Sequence, residues 1–101
     1  MSSKDVIIDI SVVGDEVHYT HFRAFVQHGD TLIWRFDHPF AVHFSWDALP
    51  WQGETYKKLT SPYQIQLPVM ENAEFGSFKY TVALMVGDDI IMDDPEIIVK
   101  K

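Results

Sequence analysis

The sequence predicts an all-β fold, specifically an antiparallel β-sandwich of seven to eight short strands. Apolar side chains recur at every second position through most of the chain, which is the period of a strand with one buried face. Turn signals recur roughly every ten residues, as they do in small sandwiches. At 101 residues the chain is too short for two domains that each bury a core. Residues 1–101 are therefore expected to form a single domain.

The first half of the chain contains four predicted strands, each with apolar side chains on one face and polar ones on the other. They cover residues 6–12, 16–26, 32–36 and 40–46. Turn signals separate them, namely Gly14-Asp15, Gly29-Asp30 and Pro39. The fourth strand has the cleanest alternation, because Phe40 and Phe44 face one way and His43 faces the other.

The second half contains three predicted strands and one long connection. The connection, residues 47–62, includes Pro50, Gly53 and Pro62 and is expected to hold at most one helical turn. The strands cover residues 63–67, 78–86 and 95–99. The last begins with Pro95, which suits the start of a strand because no ladder donor is needed there.

Composition narrows the classes of partner. The formal net charge of −7 argues against nucleic acid or an anionic membrane as the main partner, because both reward Lys and Arg. The charge serves solubility or, alternatively, a basic partner. No apolar run approaches the roughly 20 residues that span a bilayer. The N-terminus lacks the pattern of a signal peptide, so a cytoplasmic protein is expected.

Three motifs together resemble the cupredoxins, the family of plastocyanin and azurin. The step Gly29-Asp30-Thr-Leu-Ile-Trp34 resembles the family's Gly-Asp-x-x-x-Trp entry into a strand. Residues 39–50 resemble the next strand and loop, and residues 76–82 resemble its Gly-x-Tyr-x-Phe-x-Cys strand. The resemblance covers residues 29–99 and implies a cupredoxin-like, immunoglobulin-like Greek-key β-sandwich.

The same resemblance implies that the type-1 copper site is lost. Phe40 stands at the position of the first ligand histidine, Val82 at that of the cysteine, and Met85 to Gly87 where the second histidine should follow. A blue-copper centre needs two imidazoles and a thiolate, and the chain has no cysteine. Met92 alone would supply only a weak axial thioether. We therefore expect no cofactor, with Phe40 and Val82 packed where the family holds its metal.

Histidines offer an alternative metal site. Asp37, His38 and His43 lie around a predicted turn and strand, and imidazole and carboxylate groups bind Zn²⁺ or Cu²⁺. The other interpretation places these side chains on the polar surface of the sandwich. His18 and His21 have an odd spacing, which puts their rings on opposite faces of a regular strand.

Acidic and hydroxyl residues offer weaker signals. The aspartate pairs at 88–89 and 93–94 are either Ca²⁺ ligands or ordinary turn residues. His43 and Ser45 share a strand face, but no Gly-x-Ser-x-Gly elbow, phosphate loop or dinucleotide fingerprint accompanies them. We therefore expect no catalytic residues and no enzyme activity.

Aromatic side chains concentrate around the long connection. Trp46, Trp51 and Tyr56 are expected either to form a contact patch for a protein partner or to cap the core beneath the loop. With the ligand set lost, the leading interpretation is a non-catalytic binding module that acts through protein–protein contact. Self-association as a homodimer is left open. The alternative is a metal-handling protein that uses Asp37, His38 and His43.

Overall fold

The computed structural model describes residues 3–45 and 51–101. Within these residues the chain forms ten strands and no helix. The strands are β1 (Asp5–Val13), β2 (Glu16–Tyr19), β3 (Arg23–Val26), β4 (Thr31–Arg35), β5 (Phe40–Phe44), β6 (Thr55–Lys58), β7 (Gln64–Pro68), β8 (Gly76–Val86), β9 (Asp89–Asp93) and β10 (Glu96–Val99). No helix in the described part of the chain could cross a membrane.

The strands form two facing sheets, which confirms the predicted all-β sandwich. The first sheet has the order β2-β1-β4-β7. The second has the order β3-β10-β8-β5-β6, and β9 pairs with the upper half of β8. Two pairs, β1 with β4 and β3 with β10, are parallel, so both sheets are mixed rather than purely antiparallel. Local alternation does not encode such pairings, because the paired strands are distant in sequence.

The strand count exceeds the prediction because one predicted strand is two and two strands were not predicted. Residues 16–26 divide into β2, which joins the first sheet, and β3, which joins the second. Thr20 lies at the crossing, where its Oγ1 accepts from the Asp9 amide (2.9 Å) and donates to the Ile7 carbonyl (3.1 Å). The additional strands are β6, at the edge beside β5, and β9.

A single apolar core fills the space between the sheets, and aromatic rings dominate its centre. Trp34 of β4 is fully buried, and its indole Nε1–H donates to the hydroxyl of Tyr80 on β8 (3.0 Å). Phe44 of β5 stacks on Tyr80 with ring centroids 5.6 Å apart. This arrangement ties the two sheets together and pairs the buried polar atoms of both rings.

Candidate protein-contact face

The residues at the family's copper-ligand positions are core residues. Phe40 has 0% exposure, and its ring lies edge-on to Phe36 with centroids 6.1 Å apart. Val82 is equally buried on the neighbouring strand β8, directly opposite Val42. Neither side chain carries an atom that can ligate a metal ion, and both pack within the core cluster. This end of the sandwich is therefore filled by hydrocarbon.

The methionines near this end point away from it. Side chains alternate along β8, so Met85 lies on the face opposite to Val82 and pairs in register with Ile90 of β9. Met92, the candidate axial ligand, pairs with Ala83 on that same outer face. Thioethers on the outer face cannot complete a site around Phe40 and Val82. The residues present do not fit a type-1 copper ion.

The alternative metal ligands are not brought together. His43 lies on the outer face of β5, where its Nδ1 hydrogen-bonds to Thr55 Oγ1 (2.7 Å). His38 precedes β5 and lies edge-on to the ring of Phe36, beside the exposed Asp37. Across residues 3–45 and 51–101, no three His, Cys, Asp or Glu side chains form a group that could hold a metal ion.

The aromatic loop residues belong to the core rather than to a contact patch. Trp51 has 3% exposure and packs against Phe44 with ring centroids 5.0 Å apart. Tyr56 is half-buried and meets Phe44 edge-on. Trp46 lies outside the described residues. The expectation of an exposed patch is thus wrong for Trp51, because its ring caps the core beneath the connection.

An exposed apolar surface lies instead on the outer side of the second sheet. We call it the β8–β9 face and define it by Ala41, Ala83, Met85, Ile90 and Met92. Ala41, Ala83 and Met92 form one row across three strands, and Met85 and Ile90 form the next. Ile90 and Met92 have exposures of 65% and 66%. Scattered exposed apolar residues are ordinary, whereas a contiguous group is typical of contact sites.

Carboxylates border this face on the β9 side. Asp88 and Asp89 form the turn into β9 and are exposed. Asp94, just past β9, is exposed too and accepts a hydrogen bond from Thr81 Oγ1 (3.2 Å). No Lys or Arg occurs between Lys79 and Lys100. The β9 side of the face therefore has a negative potential, which low-dielectric surroundings would strengthen.

Asp93 differs from the other three aspartates because it is held by the first sheet. Its Oδ2 accepts from the hydroxyl of Tyr19 on β2 (2.8 Å). Burial, followed by the bond to Asp93, raises the pKa of Tyr19 far above its ordinary value. The side chains of Asp93 and Ile91 point inward. The alternation along β9 thus anchors one side of the strand and presents Ile90 and Met92 on the other.

Sequence reasoning missed the β8–β9 face, although a signal for it exists. The segment Asp88-Asp-Ile-Ile-Met-Asp-Asp94 was interpreted as a turn with possible Ca²⁺ ligands. Its central residues are β-branched or apolar and follow a long strand after a Gly-Asp turn, which is the pattern of a hairpin. The signal was obscured because apolar residues occur at consecutive positions rather than at alternate ones.

Two mixed sheets in this order, with a buried Trp between them, make up the cupredoxin fold. Solved structures that match the chain are mutants of amicyanin, each covered by 95% of this chain over 82% of its own length. They include an oxidised Met-to-Lys mutant (18% identity, TM-score 0.59), a Pro-to-Gly mutant in its reduced Cu(I) form at pH 4 (18%, 0.62) and a reduced Pro-to-Phe mutant (19%, 0.58). At such identities the likeness shows the fold alone. No protein-family model matches the sequence, and no curated protein does.

Proposed function

We propose that this chain is a non-catalytic, copper-free module of the cupredoxin fold that acts by binding another protein through the β8–β9 face. The observation that carries the proposal is the pair Ile90 and Met92, two large apolar side chains that lie side by side and about two-thirds exposed. Completely burying such a side chain is worth about 1.5–3 kcal/mol. Burial of the pair would therefore make a useful contribution to a contact.

Copper-based electron transfer is not part of this proposal. One of the similar amicyanin structures is named as a Cu(I) form, but the corresponding positions here hold Phe40 and Val82 in a packed core. A protein that keeps the sandwich and fills its metal end with hydrocarbon retains a stable scaffold. Binding through a surface of that scaffold is the function that needs no further group.

The test compares a disrupted face with an equally exposed control. The double variant Ile90→Lys/Met92→Lys places two charges on the face, whereas Val13→Lys changes a residue of 66% exposure on β1. Both changes are at exposed sites and should leave the circular dichroism spectrum and the melting temperature nearly unchanged. Tagged wild type and Val13→Lys should retain the same partner from an extract of the source cells by cross-linking. The double variant should lose it.

Equal retention by the double variant and by Val13→Lys would show that the β8–β9 face is not the contact. A self-complex would appear in the same experiment as cross-linked dimers of the tagged chain. Those dimers should also disappear in the double variant if this face forms them.

Metal handling through Asp37, His38 and His43 is the alternative from another functional class. In its favour stands only the chemistry of the ligands, because His43 bonds to Thr55 while His38 packs on Phe36. Calorimetric titration with Cu²⁺ and Zn²⁺ tests it, with His38→Ala and His43→Ala as matched variants. Binding weaker than about millimolar, which corresponds to about −4 kcal/mol, would end this alternative.

A further inference from the structure

The β8–β9 face is small compared with the interfaces of stable globular complexes. It spans three strands that are about 4.8 Å apart and about four residues along each strand, at about 3.3 Å per residue. These spacings give an area of roughly 14 Å by 13 Å, or about 200 Å². A standard interface covers about 800 Å² on each partner. The dimensions match instead one stripe of a helix over two to three turns, each about 5.4 Å long.

The charges beside the face determine what the stripe must carry next to its apolar residues. Asp88, Asp89 and Asp94 are exposed along the β9 side. Across the sheet the nearest cation in register is Lys57 of β6, which pairs with Ala41. A ligand with Lys or Arg beside its apolar stripe would meet three carboxylates on one flank. An acidic ligand would be repelled there.

We infer that the β8–β9 face receives a cationic amphipathic helix of another protein, with aliphatic side chains on Ile90 and Met92 and with Lys or Arg beside the aspartates. The inference rests on the proposed function and names the chemistry of the partner. Helices of this kind present anchors at i, i+4 and i+7. The contact is small and strongly charged, so it is transient and sensitive to salt.

A second copy of this chain suits the face less well. Two copies docked face to face would bring two acidic borders into one interface, and each chain carries a net charge of −7. To reach the area of a stable dimer, the contact would have to extend over the charged band formed by Arg23, Lys79 and Glu96. The guanidinium of Arg23 is already engaged there with the carboxylate of Glu96 at 3.2 Å.

The experiment uses a fluorescein-labelled peptide of about 14 residues, long enough for nearly four helical turns, with Leu at the i, i+4, i+7 positions and Lys elsewhere. Two further probes serve as controls: the same peptide with Glu in place of Lys, and a peptide of the same composition in an order that forms no stripe. Anisotropy titrations against the full chain should give binding for the Lys peptide alone. Raising the salt from about 0.02 M to about 0.5 M should weaken this binding at least tenfold, because the carboxylates are exposed.

Three variants locate the contact. Ile90→Lys/Met92→Lys should abolish binding of the Lys peptide. Asp88→Asn/Asp89→Asn should weaken it about three- to tenfold and flatten its salt dependence, by loss of attraction to two carboxylates. Glu71→Gln/Glu74→Gln removes the same charge from the exposed β7–β8 connection and should change the affinity less than twofold.

The outcomes separate this inference from the proposed function. Equal binding of the Lys peptide and the unpatterned peptide, or equal loss in the two charge-removal variants, would overturn the helix inference and indicate non-specific attraction. Sedimentation of the chain alone provides the other decision. A concentration-dependent dimer that Ile90→Lys/Met92→Lys abolishes would support the proposed contact face and overturn the cationic-helix inference.

Discussion

Truncating Phe40 to alanine tests whether this residue is a structural replacement for a metal ligand. Its side chain has 0% exposure and lies in the core between the sheets. A buried phenylalanine removes roughly 150–250 Å² from water, which at about 25 cal/mol per Å² corresponds to about 4–6 kcal/mol. Since alanine keeps part of this area and the core relaxes around the gap, we expect a loss of about 3–5 kcal/mol.

The expected loss is large for a domain of this size. Typical total stabilities are about 5–15 kcal/mol. With an unfolding entropy of about 2.1 cal/mol/K per residue, the variant should melt about 15 °C or more below the wild type. Urea unfolding followed by tryptophan fluorescence measures the change, and an unaltered m-value would show that both chains unfold from a comparably compact native state.

Phe25→Ala provides the matched control, because Phe25 lies half-exposed on the outer face of the same sheet. It contacts only the ammonium group of Lys100 among the charged groups (5.4 Å from the ring centroid), a contact worth about 0.5–1 kcal/mol. A cost for Phe40→Ala no larger than that for Phe25→Ala would contradict the reasoning. The metal end would then be loosely packed, and the core would not depend on the residue that replaces the ligand.

Three further changes test the core and its titration. Tyr80→Phe leaves the buried indole N–H of Trp34 without its acceptor, so the free energy of unfolding should fall by about 1–3 kcal/mol in urea titrations; no loss would mean that the pair contributes nothing. Trp51→Ala should cost about 3–5 kcal/mol because the ring is a core residue, and a stability equal to wild type would return it to the list of contact residues. Because burial and the bond to Asp93 raise the pKa of Tyr19 above its model value of 10.0, the folded state holds this proton longer than the unfolded chain does. Stability should therefore decline as pH rises beyond 10.0, and Tyr19→Phe should reduce that alkaline slope in melts at increasing pH.

The fold was accessible from sequence because its main signal is local. Alternation of apolar residues identifies a buried face wherever it is regular, as in β1, β5 and β8, and the structure buries those faces. Alternation alone cannot tell which sheet a strand joins. Residues 16–26 look like one strand, yet β2 and β3 join different sheets, because Thr20 bonds to β1 and redirects the chain.

The candidate site was less accessible because sequence does not specify exposure. Trp51 and Ile90 illustrate this in opposite directions. A tryptophan in a connection with Pro and Gly suggests a surface ring, but it is buried by Phe44. An isoleucine flanked by aspartates suggests a turn, but it lies exposed on an edge strand. In both cases the outcome depends on what packs opposite the side chain, which only the three-dimensional pairing defines.

The path of the backbone at the former metal end explains why the loss of copper ligands goes with a new exposed surface. β8 stays regular as far as Val86, turns at Gly87 with a φ of 62°, and returns as β9 in unbroken register with β8. In a regular strand, residues at odd separations lie on opposite faces, so Val82 inside requires Met85 outside. The segment that would have to loop around a metal ion is thus a hairpin. The same alternation that closes the interior with hydrocarbon places Met85, Ile90 and Met92 together on the outer face.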